Sequence, residues 1–69
     1  MNNYTIIIEK TESGYSAYVP DLPGCITVGE TIDQTREYVK EAIELYIEQL
    51  KLEGKVLPKP TTISEIISV

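Results

Sequence analysis

Residues Thr31 to Gly54, TIDQTREYVKEAIELYIEQLKLEG, carry the longest unbroken periodic pattern in the chain and predict one amphipathic helix. Thr31 is a good N-cap, since its hydroxyl accepts from an orphaned first-turn amide, and Gln34 is placed to return a bond to the cap's own amide. Asp33 sets negative charge at the positive end of the helix dipole. Gly54 suits the residue just past the helix, with Lys51 and Lys55 beside it and Pro58 beyond to prevent regrowth. Ile32, Val39, Ile43, Tyr46, Ile47 and Leu50 recur at spacings of three, four and seven, which puts them on one core stripe. At 1.5 Å per residue such a helix is roughly 33 Å long. In a chain of 69 residues, a rod of that length needs a sheet to cover.

The same helix carries a second pattern. Tyr38, Leu45 and Leu52 recur seven residues apart and fall together, away from the core stripe, next to an acidic strip of Glu37, Glu41, Glu44 and Glu48. Scattered apolar residues on a surface are common, whereas three aligned large ones form a patch and point to a subunit or partner contact. The acidic strip reads either as a solvated face or as a docking surface for a basic protein.

Upstream of the helix the pattern changes to short β segments. YTIIIEK, from Tyr4 to Lys10, is rich in β-branched and aromatic residues, with Tyr4, Ile6 and Ile8 on one face. TESG, Thr11 to Gly14, is a polar turn in which Gly14 can supply positive φ for a hairpin. The return strand spans Tyr15 to Val19. Two prolines and a glycine make PDLPG, Pro20 to Gly24, a rigid loop, and CITV, Cys25 to Val28, is the third strand. Strand, strand, strand, helix without crossovers predicts an α+β fold, an antiparallel meander with one long helix on a single face. The closing segment is ambiguous. Pro58 and Pro60 hold KVLPKP extended. In TTISEIISV, Thr62 with Glu65 resembles a capping box, yet Ile66, Ile67 and Val69 suit a short edge strand returning beside the first. The strand is the favoured expectation.

Composition excludes more chemistry than it suggests. The chain has no histidine and one cysteine, Cys25, so no intrachain Cys–His or Ser–His nucleophile pair and no four-ligand structural zinc site can be built. No disulfide closes within the chain, which fits a reducing cytoplasm, and Cys25 reads as a small buried hydrophobe. The scattered glycines open no phosphate-cradling loop. Glu9, Asp21, Asp33 and Glu37 are carboxylates that a magnesium-dependent nuclease centre would draw together, but Glu9 lies near a strand end and Asp21 in the loop. Lys51, Lys55 and Lys59 straddle a helix end and an extended segment, without the interleaved aromatics of a nucleic-acid stripe. A net charge of −5 repels phosphates and favours basic partners. No signal peptide or membrane span is expected, and no cofactor or metal. The length suits one domain, marginal alone, for which oligomerisation is a usual remedy.

Residue identity at the loop adds a resemblance. YSAYVPDLPGCITVGET, Tyr15 to Thr31, resembles the signature of the HicB antitoxin family, where Y-x-A-x-x-P-D-L-P-G-C leads through a glycine into a long helix. The similarity continues through EAIELYIEQLKLEG and LPKP, so it covers nearly the whole chain. It implies a β-β-β-α-β, partial RNase H-like domain over residues 1–69, and a non-enzymatic protein that binds HicA, a small basic mRNA interferase with a catalytic histidine, and masks its active site. On that resemblance Asp21, Leu22 and Pro23 of the loop, with Glu37, Glu41, Glu44 and Glu48 of the helix, are the expected toxin contacts, and Tyr38, Leu45 and Leu52 the expected dimer contacts. Many family members add a DNA-binding domain; none is expected after Val69, nor any binding to nucleic acid. An orphan assembly module is the alternative function, with an acidic-cluster nuclease behind it.

Overall fold

The computed structural model describes residues 2–69. Three strands, β1 (Ile7–Lys10), β2 (Tyr15–Tyr18) and β3 (Ile26–Gly29), form an antiparallel sheet in the order β1-β2-β3, followed by one helix, α1 (Ile32–Leu52). The α+β meander with a single long helix is therefore present, with β1 shorter than its β-forming sequence. Thr31 caps the helix, its hydroxyl accepting from the Gln34 amide at 3.0 Å. The Gln34 side chain answers one residue earlier than expected, accepting from the Glu30 amide at 2.7 Å. At the other end Gly54 has a φ of +69°, the Gly54 amide donates to Lys51 O and the Lys55 amide to Leu50 O. This paired closure satisfies carbonyls that the last turn leaves open.

Register decides which side of the sheet the helix covers. Ile8, Ala17 and Thr27 lie opposite one another, and so do Ile7, Tyr18 and Ile26 on alternate positions. Ala17 is fully buried and Ile8 packs on the core, so the helix lies over that face. The buried set is Ala17, Val19, Leu22, Cys25 and Val39, with Tyr4, Ile6, Ile8, Ala42, Ile43 and Tyr46 packed around it. Leu22 reaches the core because its loop is tightly wound: the Leu22 amide donates to Val19 O, Cys25 to Leu22 O, and Val19 to Cys25 O, all within 3.0–3.1 Å. Gly24, at φ +81°, makes the turn possible.

Two positions depart from the helical stripe expected from periodicity. Ile32 is exposed, and Thr35 is buried in its place. Thr35 Oγ1 donates to Thr31 O at 2.7 Å, so the hydroxyl is satisfied inside the helix and its methyl can face the sheet. The reason is proximity. A Cβ on Gly29 would fall 2.5 Å from Thr35 Oγ1 and 3.0 Å from the Thr35 backbone, so the helix start rests directly on a bare stretch of β3. Gly14 also differs from expectation. Its φ is not positive, and its role is to let the hairpin turn approach the Gly29 backbone, where any side chain would collide. The turn closes by the Thr11 amide donating to Gly14 O at 2.9 Å.

The expected C-terminal edge strand does not form: beyond Gly54 there is neither helix nor strand among the described residues. Residues 58–62 do run beside the start of the chain, but side chains rather than a backbone ladder hold them. The Tyr4 hydroxyl donates to Pro58 O and the Thr5 hydroxyl to Thr62 O. Pro58 and Pro60 have no N–H to contribute to a ladder, and the Thr61 and Thr62 amides that open the expected strand donate to the Asp21 carboxylate instead. Truncating Leu22 to Ala empties the centre of the core and is expected to cost about 2–5 kcal/mol, measured as a lower urea midpoint with an unchanged slope. Gly29→Ala, which forces the helix start off the sheet, should lower stability by about 1–3 kcal/mol in the same titration.

Candidate functional site

The outward side of α1 presents a row of four carboxylates. Glu37, Glu41, Glu44 and Glu48 are exposed, and none has an ion-pair partner among the described residues. The two ion pairs that do form, Arg36–Asp33 at 2.8 Å and Lys55–Glu53 at 3.1 Å, lie at the two ends of the helix. Leu45 stands between the carboxylates, 67% exposed, and lines with Glu41, Glu44 and Glu48 a shallow hollow of about 350 Å³. Tyr38 and Leu52 are exposed as well, with Tyr38 bordering a separate groove that includes Gln34, Val28 and Tyr15. The helix therefore brings acid and aliphatic surface together on one face. Charge alone binds diffusely; a large apolar side chain set among charges supplies a contact whose burial adds affinity once a partner is in register.

The loop residues take different places. Leu22 is 0% exposed and has no surface to offer a partner, whereas Pro23 is exposed beside it. Asp21 acts as an internal clamp. Its carboxylate accepts from the Thr61 and Thr62 amides at 3.2 and 3.1 Å, and from the Thr61 and Thr62 hydroxyls at 3.1 and 2.9 Å. The bond from the Thr62 amide does most to hold the Asp21 carboxyl below the ordinary carboxylate value, with the two hydroxyls and the Thr61 amide adding to it against a partial opposing effect of burial. Glu9 pairs across from Ser16 on β1, while Asp21 lies five residues past Ser16, so the two are not brought together. No group of three Asp, Glu, Cys or His side chains among the described residues is arranged to hold a metal ion. Cys25 is buried and its thiol is pushed up by burial, the setting of a packing residue rather than a nucleophile. No helix among the described residues is long and apolar enough to cross a membrane.

Comparison with known proteins places these features. The family described as HicB_like antitoxin of bacterial toxin-antitoxin system matches residues 4–69. The chain belongs to that family. A UPF0150 protein of Synechocystis is 41% identical over 68 residues, covering 97% of this chain and 86% of its own length. An Archaeoglobus fulgidus UPF0150 protein is 53% identical over 49 residues, covering 70% and 71%. A 14.9 kDa protein of Haemophilus phage HP1 is 40% identical over 65 residues, and this chain spans 94% of itself but only 49% of the phage protein. Among solved structures, a chain of the HicA3 and HicB3 toxin-antitoxin complex superposes with a TM-score of 0.73 at 38% identity, covering 87% of this chain and 70% of that one.

Two features of this HicB-like chain escape periodicity. One is the Asp21 clamp, which joins residues 40 and 41 positions apart and leaves no local trace. The other is the uncovered sheet face, where Tyr18, Ile26 and Val28 are exposed; alternation in CITV was its only sequence signal. The clamp makes a pH prediction. A carboxylate whose folded value is depressed contributes its full stabilisation above about pH 4 and loses it as the pH falls through the folded value. The Thr61 and Thr62 amide shifts should therefore titrate below about pH 4, with residues 58–62 loosening while the Cys25 amide stays protected, and Asp21→Asn should abolish that titration.

Proposed function

We propose that this chain is an antitoxin that neutralises a HicA-like ribonuclease by laying the acidic outer face of α1 across the toxin's RNA-binding surface. The observation that carries the reading is the unpaired carboxylate row Glu37, Glu41, Glu44 and Glu48 with Leu45 set within it. A protein built to hold RNA phosphates presents cationic surface, and a chain of charge −5 with four of its carboxylates exposed in a row on one helix is complementary to it. Family membership and the likeness to a chain of the HicA3 and HicB3 complex support the same partner class. The antitoxin acts by occlusion, and its own residues perform no chemistry. It works where the toxin meets messenger RNA, in the cytoplasm.

Tyr38, Leu45 and Leu52 belong to this contact in the same reading. Self-association through Leu45 would bring two carboxylate rows against each other, which like-charge juxtaposition opposes. A cationic partner meets no such penalty. Pro23 is the loop residue available to join the contact, since Leu22 is interior and Asp21 is engaged by Thr61 and Thr62.

The test is co-expression with a HicA-like toxin. The triple variant Glu41→Lys, Glu44→Lys, Glu48→Lys should keep the parent circular-dichroism spectrum, lose growth rescue and bind at least ~100-fold more weakly. Leu45→Ala should weaken binding by about tenfold or more, as truncation of a central apolar contact does. Undiminished rescue by the charge-reversed variant would remove this face from the proposal.

A further inference from the structure

The hairpin turn and the start of α1 border a hollow of about 530 Å³, within the range of roughly 300–1,000 Å³ usual for ligand sites. Register explains which residues reach it. Tyr15 lies opposite Gly29 at the end of the β2–β3 ladder, and the chain enters the helix three residues after Gly29. Gln34 and Tyr38, four apart, share one side of the first helical turns. Tyr15 from the sheet, Glu30 from the connection, and Gln34 and Tyr38 from the helix therefore line one space, together with Ser13 of the turn and Val28 of β3.

The lining has the chemistry of a cation site. The Tyr15 ring already draws a cation from its own chain, the Lys10 ammonium, 4.9 Å from the ring centroid. That lysine borders a neighbouring hollow with Glu30 and Asp33, and does not border this one. Here two aromatic rings and the exposed Glu30 carboxylate, which has no ion-pair partner among the described residues, meet no positive side chain. The helix start offers little to an anion, because the Glu30 amide donates to Gln34 Oε1 and the Gln34 amide to Thr31 Oγ1. The hollow is also continuous with the acidic face of α1. Glu41 and Leu45 follow Tyr38 by three and seven residues, on the same side of the helix. A cationic protein lying along the glutamate row therefore extends over Tyr38.

We propose that this hollow takes one arginine side chain of the toxin, its guanidinium packed against the Tyr15 and Tyr38 rings and paired with Glu30, and that this anchor decides which toxin the chain retains. The inference rests on the antitoxin reading above. Arginine suits the hollow better than lysine, because a planar guanidinium stacks on an aromatic face while its edge donates to a carboxylate, whereas an ammonium is a strongly hydrated point charge. The glutamate row and the hollow then do different work. Exposed carboxylates steer approach and are screened by salt. A cation drawn out of water between rings and a carboxylate slows release instead. Two toxins of equal positive charge are told apart by whether an arginine stands where the hollow lies.

Binding kinetics of the full chain over an immobilised HicA-like toxin test this. Tyr15→Leu and Glu30→Gln should each speed release by about tenfold while changing the association rate by less than about twofold. Tyr15→Phe, which keeps the ring, should restore slow release. Tyr18→Leu, on the open sheet face, should release the toxin as the parent does. Circular dichroism checks the fold of each variant, and the exposed Glu30 carries the test should Tyr15→Leu not fold. On the toxin, replacing surface arginines by alanine one at a time should find one whose loss speeds release as much as Tyr15→Leu, with no further change when the two are combined. Parent-like release from folded Tyr15→Leu or from Glu30→Gln, or the lack of any such arginine, would overturn the inference. The antitoxin reading would then stand if the triple lysine variant still lost binding. A parent that fails to hold the toxin would remove both.

Discussion

A single helix covers one face of a sheet and leaves the other open. In this molecule that constraint is set at one point, where the start of α1 rests on Gly29 with Thr35 above it. The contact works because β3 has no side chain there and because Thr35 satisfies its hydroxyl within its own turn. From that point the helix runs over Ala17 with its own Val39 buried against the core, Leu22 fills the space from the loop, and Ile26 and Val28 are turned outward. The inward and outward surfaces follow from one register, and a slip of one residue would reverse them all.

Local sequence rules account for much of this architecture. The helix and its caps follow from Thr31 and Gly54, because capping chemistry acts within a few residues of where it is written. The meander follows from β-forming runs separated by TESG and PDLPG. What escapes these rules is long-range. Ile32 and Thr35 trade places because a bare glycine on another strand decides which helical residue is accommodated. Ile66, Ile67 and Val69 have the composition of a strand and form none in the single chain, since composition says nothing about whether a partner edge is within reach.

The candidate site divides in the same way. The acidic row Glu37, Glu41, Glu44 and Glu48 is legible from helical spacing, which places residues on a face without any knowledge of the sheet. The loop is not. Asp21, Leu22 and Pro23 are consecutive, yet one holds a distant segment, one is interior and one meets solvent. A short loop of winding backbone sends neighbouring side chains in unrelated directions, so residue type cannot reveal which of them faces a partner.

The clamp at Asp21 has a consequence for the lifetime of the molecule. Proteases act on backbone that is unpaired and accessible, and residues 63–69 of a solitary chain offer it just beyond the point where Thr62 is fastened. Fastening at that point shields residues 58–62, which Tyr4 and Thr5 also hold. When the Asp21 carboxylate is protonated and releases Thr61 and Thr62, the susceptible backbone extends back toward Pro58.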